Sequence, residues 1–175
     1  MSETDPVSLT DKIAKAVWTV GGLGELPMAP GTWGAVGAVP IYLVLWKFGN
    51  WKIYLIVLLA VFFGGWLVSH RANIFYKKHD DSRVVIDEAA GYLTTMFLAP
   101  QDAFLPLAPL WGFALFRLFD IWKPGLLKKV DRTEGGLFVM LDDVLAGLLA
   151  CAAMWVVAAL LALFKNPFLP QMFVQ

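Results

Sequence analysis

The sequence predicts an all-α membrane protein: a polytopic helical bundle of about five hydrophobic segments, some short or re-entrant, with an interfacial helix at its N-terminus. Three observations carry that prediction. Of the 175 residues, 59% are hydrophobic, and the mean hydropathy is +0.66. Charged residues make up 16%, against roughly 25% in ordinary soluble domains. Long apolar runs alternate with short polar stretches that hold most of the basic residues. A formal net charge of zero argues against a nucleic-acid partner. The single cysteine, Cys151, leaves no intrachain disulfide or thiolate metal site to build. The first residues lack the basic-then-apolar order of a secretory signal, so no cleavage is expected.

Residues 1–19 read as a polar tail and interfacial helix, 20–165 as a single membrane-embedded domain, and 166–175 as a short tail. Ser8 and Asp11 have capping-box spacing, with Asp in place of Glu. Ile13, Val17 and Trp18 line one side of the 8–19 segment, which suits a helix lying in the membrane interface. Residues 20–34 form a Gly/Pro-rich loop. Apolar segments follow at 32–46 (bent at Pro40), 53–69, 84–99, 104–119 and 142–164. Between them lie a turn at 47–52, a polar stretch at 70–83, a short turn at Gln101-Asp102, and a loop or surface helix at 120–141. Several segments fall below the ~20 residues of a full crossing, so the third and fourth are expected to be buried or partly re-entrant.

Basic residues set the orientation. With a cytoplasmic N-terminus, the inside segments hold Lys12, Lys15, Arg71, Lys77, Lys78, Arg83, Arg117, Lys123, Lys128, Lys129 and Arg132, eleven in all. Outside segments hold three: Lys47, Lys52 and Lys165. This is a strong positive-inside bias. The same threading places Trp46 and Trp51 at the outer interface and Trp33 and Trp122 at the inner one.

It also gathers five acids on the cytoplasmic face: Asp87, Glu88, Asp120, Asp142 and Asp143. A carboxylate at membrane depth costs roughly 2.5–3.5 kcal/mol, so each is a cap, a pairing partner or a working group. In IDEAAGYLTT, Asp87, Gly91 and Thr94 share one helix side and Glu88, Gly91, Tyr92 and Thr95 the next. That small, polar stripe suits a helix facing its neighbours. Two acids near a helix start also favour its dipole. Asp143 shares a side with Ala146, Gly147 and Ala150 and should point into the bundle; a single Asp would suffice as a cap. Arg117 and Asp120 are i, i+3 neighbours and can pair, while Lys123 can reach lipid headgroups. Arg117, inside a span, needs a carboxylate or a phosphate. Pro30-Gly31-Thr32-Trp33-Gly34 runs into a helix, a weak anion-site signal. His70 and His79 read as surface residues. Carboxylates with a few fixed cations suggest a divalent metal handling a phosphate.

Taken in order, Pro30-Gly31-Thr32-Trp33-Gly34, Asp87-Glu88-Ala-Ala-Gly91, Arg117-x-x-Asp120-x-x-Lys123-Pro124, Gly135-Gly136 and Asp142-Asp143-x-x-Ala146-Gly147 resemble the phosphatidylglycerophosphatase A family of bacterial lipid phosphatases. The resemblance covers about residues 20–150. It implies a Mg²⁺-dependent phosphatase of the bacterial inner membrane, multi-pass, with its active site on the cytoplasmic face. The implied reaction converts phosphatidylglycerophosphate in the bilayer to phosphatidylglycerol. Asp87, Glu88, Asp142 and Asp143, with Asp120 assisting, are the expected catalytic acids, and the first four the metal ligands. Arg117, Lys123 and the Gly31, Thr32 and Gly34 segment are expected to hold the phosphate. Attack by water and a phospho-Asp intermediate both stay open. Three positions depart from the pattern: Ala35 stands where a serine often follows, Gly125 replaces a proline and Phe138 a glycine.

Two readings from other classes compete. A transporter would need ionisable groups near the midplane, whereas these acids cluster at helix ends. A structural membrane subunit would use the acids as caps only, which leaves the co-location of Arg117, Asp120 and both acid pairs unexplained.

Overall fold

Every regular element is helical among the residues that the computed structural model describes, namely 8–78, 81–125, 127–131, 133 and 135–165. The expectations for His79, Arg132 and the 166–175 tail fall outside them. The first helix, α1 (Leu9–Trp18), starts as its sequence asks. The Ser8 hydroxyl accepts from the Asp11 N–H at 3.1 Å and donates to the Asp11 carboxylate at 2.8 Å. Its expected apolar side is divided, however. Leu9, Ile13 and Val17 are exposed, while Trp18 is fully buried. Trp18 packs on Phe75, and its indole N–H donates to the Tyr76 hydroxyl at 3.3 Å. That polar partner draws the indole away from the exposed stripe.

Helix α2 (Pro30–Phe48) opens earlier than expected, so Pro30–Gly34 forms its first turn rather than the end of a loop. Proline suits that position because its φ is preset and its missing N–H needs no partner. The helix continues through Pro40 and ends at Gly49, whose φ is +61°. Asn50 then caps α3 (Trp51–Tyr76), its side-chain oxygen accepting from Lys52 and Ile53 N–H at 3.0 and 3.3 Å. The 26 residues of α3 absorb half of the expected 70–83 polar stretch, and His70 lies exposed on it. At 1.5 Å per residue the helix spans about 39 Å.

The loop after α3 is tied down by charge. Arg83 makes a two-pronged bond to Asp81, at 2.7 and 3.0 Å, and stacks 3.7 Å over Tyr76. Val85 N–H donates to the Trp18 carbonyl at 2.8 Å, which fixes the start of the next helix against the end of α1.

Helix α4 (Ile86–Phe97) has ten of its twelve residues buried. It is the centre of the bundle, packed by α2, α3, α5 and α7. Its hydroxyls are satisfied locally, Thr94 on the Ala90 carbonyl at 2.8 Å and Thr95 on that of Gly91 at 3.1 Å. Helix α5 (Ala108–Trp122) follows a short 3₁₀ turn, and α6 (Leu127–Asp131) is a brief helix within the expected 120–141 loop. Helix α7 (Gly136–Lys165) starts six residues before the expected 142. Small residues let α4 and α7 meet closely. A Cβ on Gly91 would strike the Phe116 ring and lie 2.7 Å from the Asp143 carbonyl; one on Gly147 would strike the Gly91 carbonyl.

By length and composition together, two of the described helices are suited to cross a membrane: α3 and residues Gly136–Phe164 of α7. Helices α4 and α5, at 12 and 15 residues, fall short of the ~20 needed.

Candidate active site

The N-terminal parts of α2, α4 and α7 and the C-terminal end of α5 surround one polar pocket of about 330 Å³. All five acids line it, with Arg117, Lys123 and Gly31. Thr32 and Gly34 are not in its wall. Gly34 instead packs on Val85, where a Cβ would lie 2.6 Å from that residue's carbonyl oxygen. The N–H groups of Thr32 and Trp33 already donate to the Ala29 carbonyl, at 2.9 and 3.3 Å. Of the three expected phosphate-segment residues, only Gly31 borders the pocket. Sequence reading missed Ser82 and Ala29, which also border it. Ser82 belongs to an aperiodic loop with no spacing signal. Ala29 is visible only as the residue before a helix-opening proline, held at φ +49°.

Each acid answers the capping question differently. Asp87 and Glu88 are in the first turn of α4, and the Asp87 carboxylate accepts the Glu88 N–H at 3.1 Å. The helix start therefore does account for part of Asp87. Asp142 and Asp143 lie more than a turn inside α7, which begins at Gly136, so they cap nothing. Asp120 is in the last turn of α5, where the helix dipole disfavours an anion. Asp87, Asp120, Asp142 and Asp143 are all buried. Buried charges persist where they are paired or bind metal.

Two cations enter the same pocket. The Arg117 guanidinium donates to Asp120 and the Lys123 ammonium to Asp142. Lys123 reaches across because it closes α5 in a left-handed conformation, φ +45°, immediately before Pro124. Gly125 follows at φ +56°, a value proline cannot adopt. The loop here thus has a shape that the proline of the resembled pattern would not allow.

Among the described residues that line the pocket, and with every group ionised, five carboxylates face two cations, an excess of three negative charges. Carboxylate oxygens of Asp87, Glu88 and Asp143 lie within 4.8 Å of one another, and so do those of Asp120, Asp142 and Asp143. Asp143 belongs to both groups. An oxygen-only donor set of this span fits a hard cation such as Mg²⁺, with ligand distances of about 2.0–2.1 Å. Two buried atoms point the same way. Among the described residues, Glu88 Oε2 accepts no hydrogen bond and Arg117 Nε donates none. Both residues line the pocket, so each brings to its wall an unsatisfied buried atom, an acceptor suited to a cation in one case and a donor suited to an anion in the other.

A sequence model of the family described as Phosphatidylglycerophosphatase A matches residues 16–158, an interval that holds every residue of this pocket. The chain belongs to that family. Phosphatidylglycerophosphatase A of Escherichia coli is 32% identical over 136 residues, 77% of each chain. That of Haemophilus influenzae is 33% identical over 130 residues, 74% of this chain and 78% of the relative. A Bacteroides thetaiotaomicron protein named "Putative phosphatidylinositol-3-phosphatase" is 36% identical over 145 residues, 78% of this chain and 90% of the relative. No solved structure matches. Membership in the phosphatidylglycerophosphatase A family makes this chain a phosphoric monoester hydrolase. Its two long apolar helices and bacterial relatives are those of a bacterial membrane protein.

Proposed function

We propose that the protein is a Mg²⁺-dependent phosphatase that hydrolyses the terminal phosphomonoester of phosphatidylglycerophosphate to give phosphatidylglycerol. The observation that carries this is the pairing, in one buried pocket, of Glu88 Oε2 without a donor and Arg117 Nε without an acceptor. A metal with its phosphate satisfies both atoms together. The names of the Escherichia coli and Haemophilus influenzae relatives support phosphatidylglycerophosphate as the lipid.

Asp87, Glu88, Asp142 and Asp143, with Asp120 beside them, would hold the ion. Bound there, Mg²⁺ would polarise the phosphoryl group and lower the pKa of a water. Arg117 and Lys123 bind the phosphate oxygens, turning from Asp120 and Asp142 toward the incoming anion. The Gly31 N–H, at the start of α2, adds a backbone donor. A pocket carboxylate takes a proton from water as its oxygen attacks phosphorus. The P–O bond to the lipid glycerol then breaks, and the departing oxygen takes up a proton to become the alcohol. Attack by an Asp oxygen, followed by hydrolysis of the acyl-phosphate, leads to the same products.

The wider setting belongs to the same proposal: about five hydrophobic segments in the bacterial inner membrane, with the pocket on the cytoplasmic face. The deciding experiment is phosphate release by the purified protein in mixed micelles. Phosphatidylglycerophosphate is compared with phosphatidate, lysophosphatidate and phosphatidylinositol 3-phosphate, each in EDTA and then with added Mg²⁺. Fastest release from phosphatidylglycerophosphate, abolished by EDTA, is expected. Preference for another lipid overturns the named substrate, and full activity in chelator overturns the metal.

A further inference from the structure

Beside the polar pocket runs a second cavity of a different kind. It has a volume of about 510 Å³ and is bounded by Phe119 of α5, Pro124 and Gly125 of the turn, and Leu145, Leu148 and Leu149 of α7, with α6 closing one end. Its wall carries no charged side chain among the described residues. The two cavities are lined by adjacent stretches of chain: Asp120 and Lys123 border the polar one, Phe119 and Pro124 the apolar one. The Lys123–Asp142 ion pair spans from α5 to α7 at their junction. On α7, Asp142, Leu145 and Leu149 follow i, i+3, i+7 spacing and lie on one helix face. The apolar groove therefore begins below Asp142 and descends about 10 Å along that face. Helix α7 is one of the two helices suited to cross a membrane, so the groove lies within reach of bilayer lipid.

We propose that this groove is an acyl-chain subsite: it receives one hydrocarbon chain of the glycerolipid phosphomonoester whose phosphate enters the neighbouring polar pocket. The proposal rests on the lipid-phosphatase reading and adds to it the side of the bundle from which substrate arrives, between the α5–α6 turn and α7. Apolar walls place the chain, and Lys123 marks the level at which hydrocarbon gives way to headgroup. Lipid held in this way is positioned before its phosphate meets Arg117.

The test compares Leu149→Trp, which fills the groove, and Leu145→Ala, which widens it, with Leu59→Trp on the exposed face of α3. Substrates are a long-chain phosphatidylglycerophosphate and its short-chain, water-soluble counterpart. Leu149→Trp is expected to raise KM for the long-chain lipid about tenfold, the range for a misfitted apolar contact. KM for the short-chain substrate should stay unchanged, and Leu59→Trp should leave both unaltered. Equal effects of the two tryptophans, or equal effects on both substrates, would overturn the subsite. A diazirine placed on the acyl chain of the same lipid reads the groove without turnover. Crosslinks concentrated at Phe119, Leu145 and Leu149 support it, and crosslinks spread evenly over α3 and α7 overturn it. Concentrated crosslinks without phosphate release would reject the phosphatase reading while keeping the lipid site.

Discussion

Asp143 is the residue on which the pocket turns, because it is the one carboxylate shared by both oxygen groups. A cation held by either group would meet it, whereas Asp120 and Asp142 are also engaged by Arg117 and Lys123. Asp143→Asn keeps the volume and removes the charge. Loss of one electrostatic contact of this kind typically costs 10²–10³-fold in kcat. A loss of that size is expected, together with weaker Mn²⁺ binding by calorimetry; unchanged turnover would remove Asp143 from the reaction. Gly31 provides a steric counterpart. A Cβ there would collide with Glu88 Oε1 and lie 3.2 Å from Arg117 Nη1. Gly31→Ala is therefore expected to displace both groups and lower kcat/KM by up to about 100-fold, the cost of an ångström-scale misplacement. Thermal stability should change little, since the collision falls on side-chain ends. A fall in melting temperature with normal kinetics would show that Gly31 serves packing instead.

At the scale of elements, α4 and α7 form the contact that holds four of the five acids in register. Gly147 is pressed against the Gly91 carbonyl and lies 3.1 Å from the Thr94 side chain. Backbone cannot yield as a side-chain tip can, so Gly147→Leu is expected to destabilise by at least the ~1–3 kcal/mol of overpacking. Thermal unfolding in detergent, followed by size exclusion, measures it. The loop before α4 has a pH signature. The Arg83 guanidinium bonded to Asp81 holds that carboxyl below its ordinary value of 3.8. A depressed carboxyl stabilises the fold fully above its unfolded value and loses that contribution as pH falls through the lowered one. Asp81→Asn should therefore narrow the stability difference between pH 6 and pH 3. These elements also show what the sequence made legible. The small residues around Gly91 and at Ala146 and Gly147 marked each helix as facing the bundle, though not which helix it would meet, and the five acids were readable from their positions near the ends of apolar runs. The start of α7 was not: the expected segment opened at the acid pair, whereas the helix opens at Gly136, just after Gly135 at φ +131°, so the glycine pair was the boundary and the apolar residues 137–141 already belong to the helix. Nor could the loss of Thr32 and Gly34 from the pocket be read locally, because it follows from a helix that opens at Pro30.

For the whole molecule, the polar pocket occupies one end of the bundle, and a crossing by α3, which is suited to span a membrane, would set the face on which it opens. Lys52 and Lys78 are exposed and bracket that 26-residue helix. At about 39 Å it is longer than the ~30 Å hydrocarbon core, so the two positions should emerge on opposite sides. The exposed tryptophans agree: Trp46 and Trp51 flank the α2–α3 turn, while Trp33 and Trp122 lie within two residues of Gly31 and Lys123 in the chain, as interfacial anchors at two levels would. The native thiol at Cys151 is buried and is removed by Cys151→Ala for the experiment. In that background Lys52→Cys should react with a membrane-impermeant maleimide on intact cells. Lys78→Cys should react only after the membrane is opened, as should Ser82→Cys at the pocket rim. Adding phosphatidylglycerophosphate should then slow labelling of Ser82→Cys and leave Lys78→Cys unaffected, since only the former borders the pocket. Labelling of Lys52→Cys and Lys78→Cys from the same side would refute the crossing. Labelling of Ser82→Cys on intact cells would place the phosphatase site on the outer face, against the eleven-to-three distribution of basic residues.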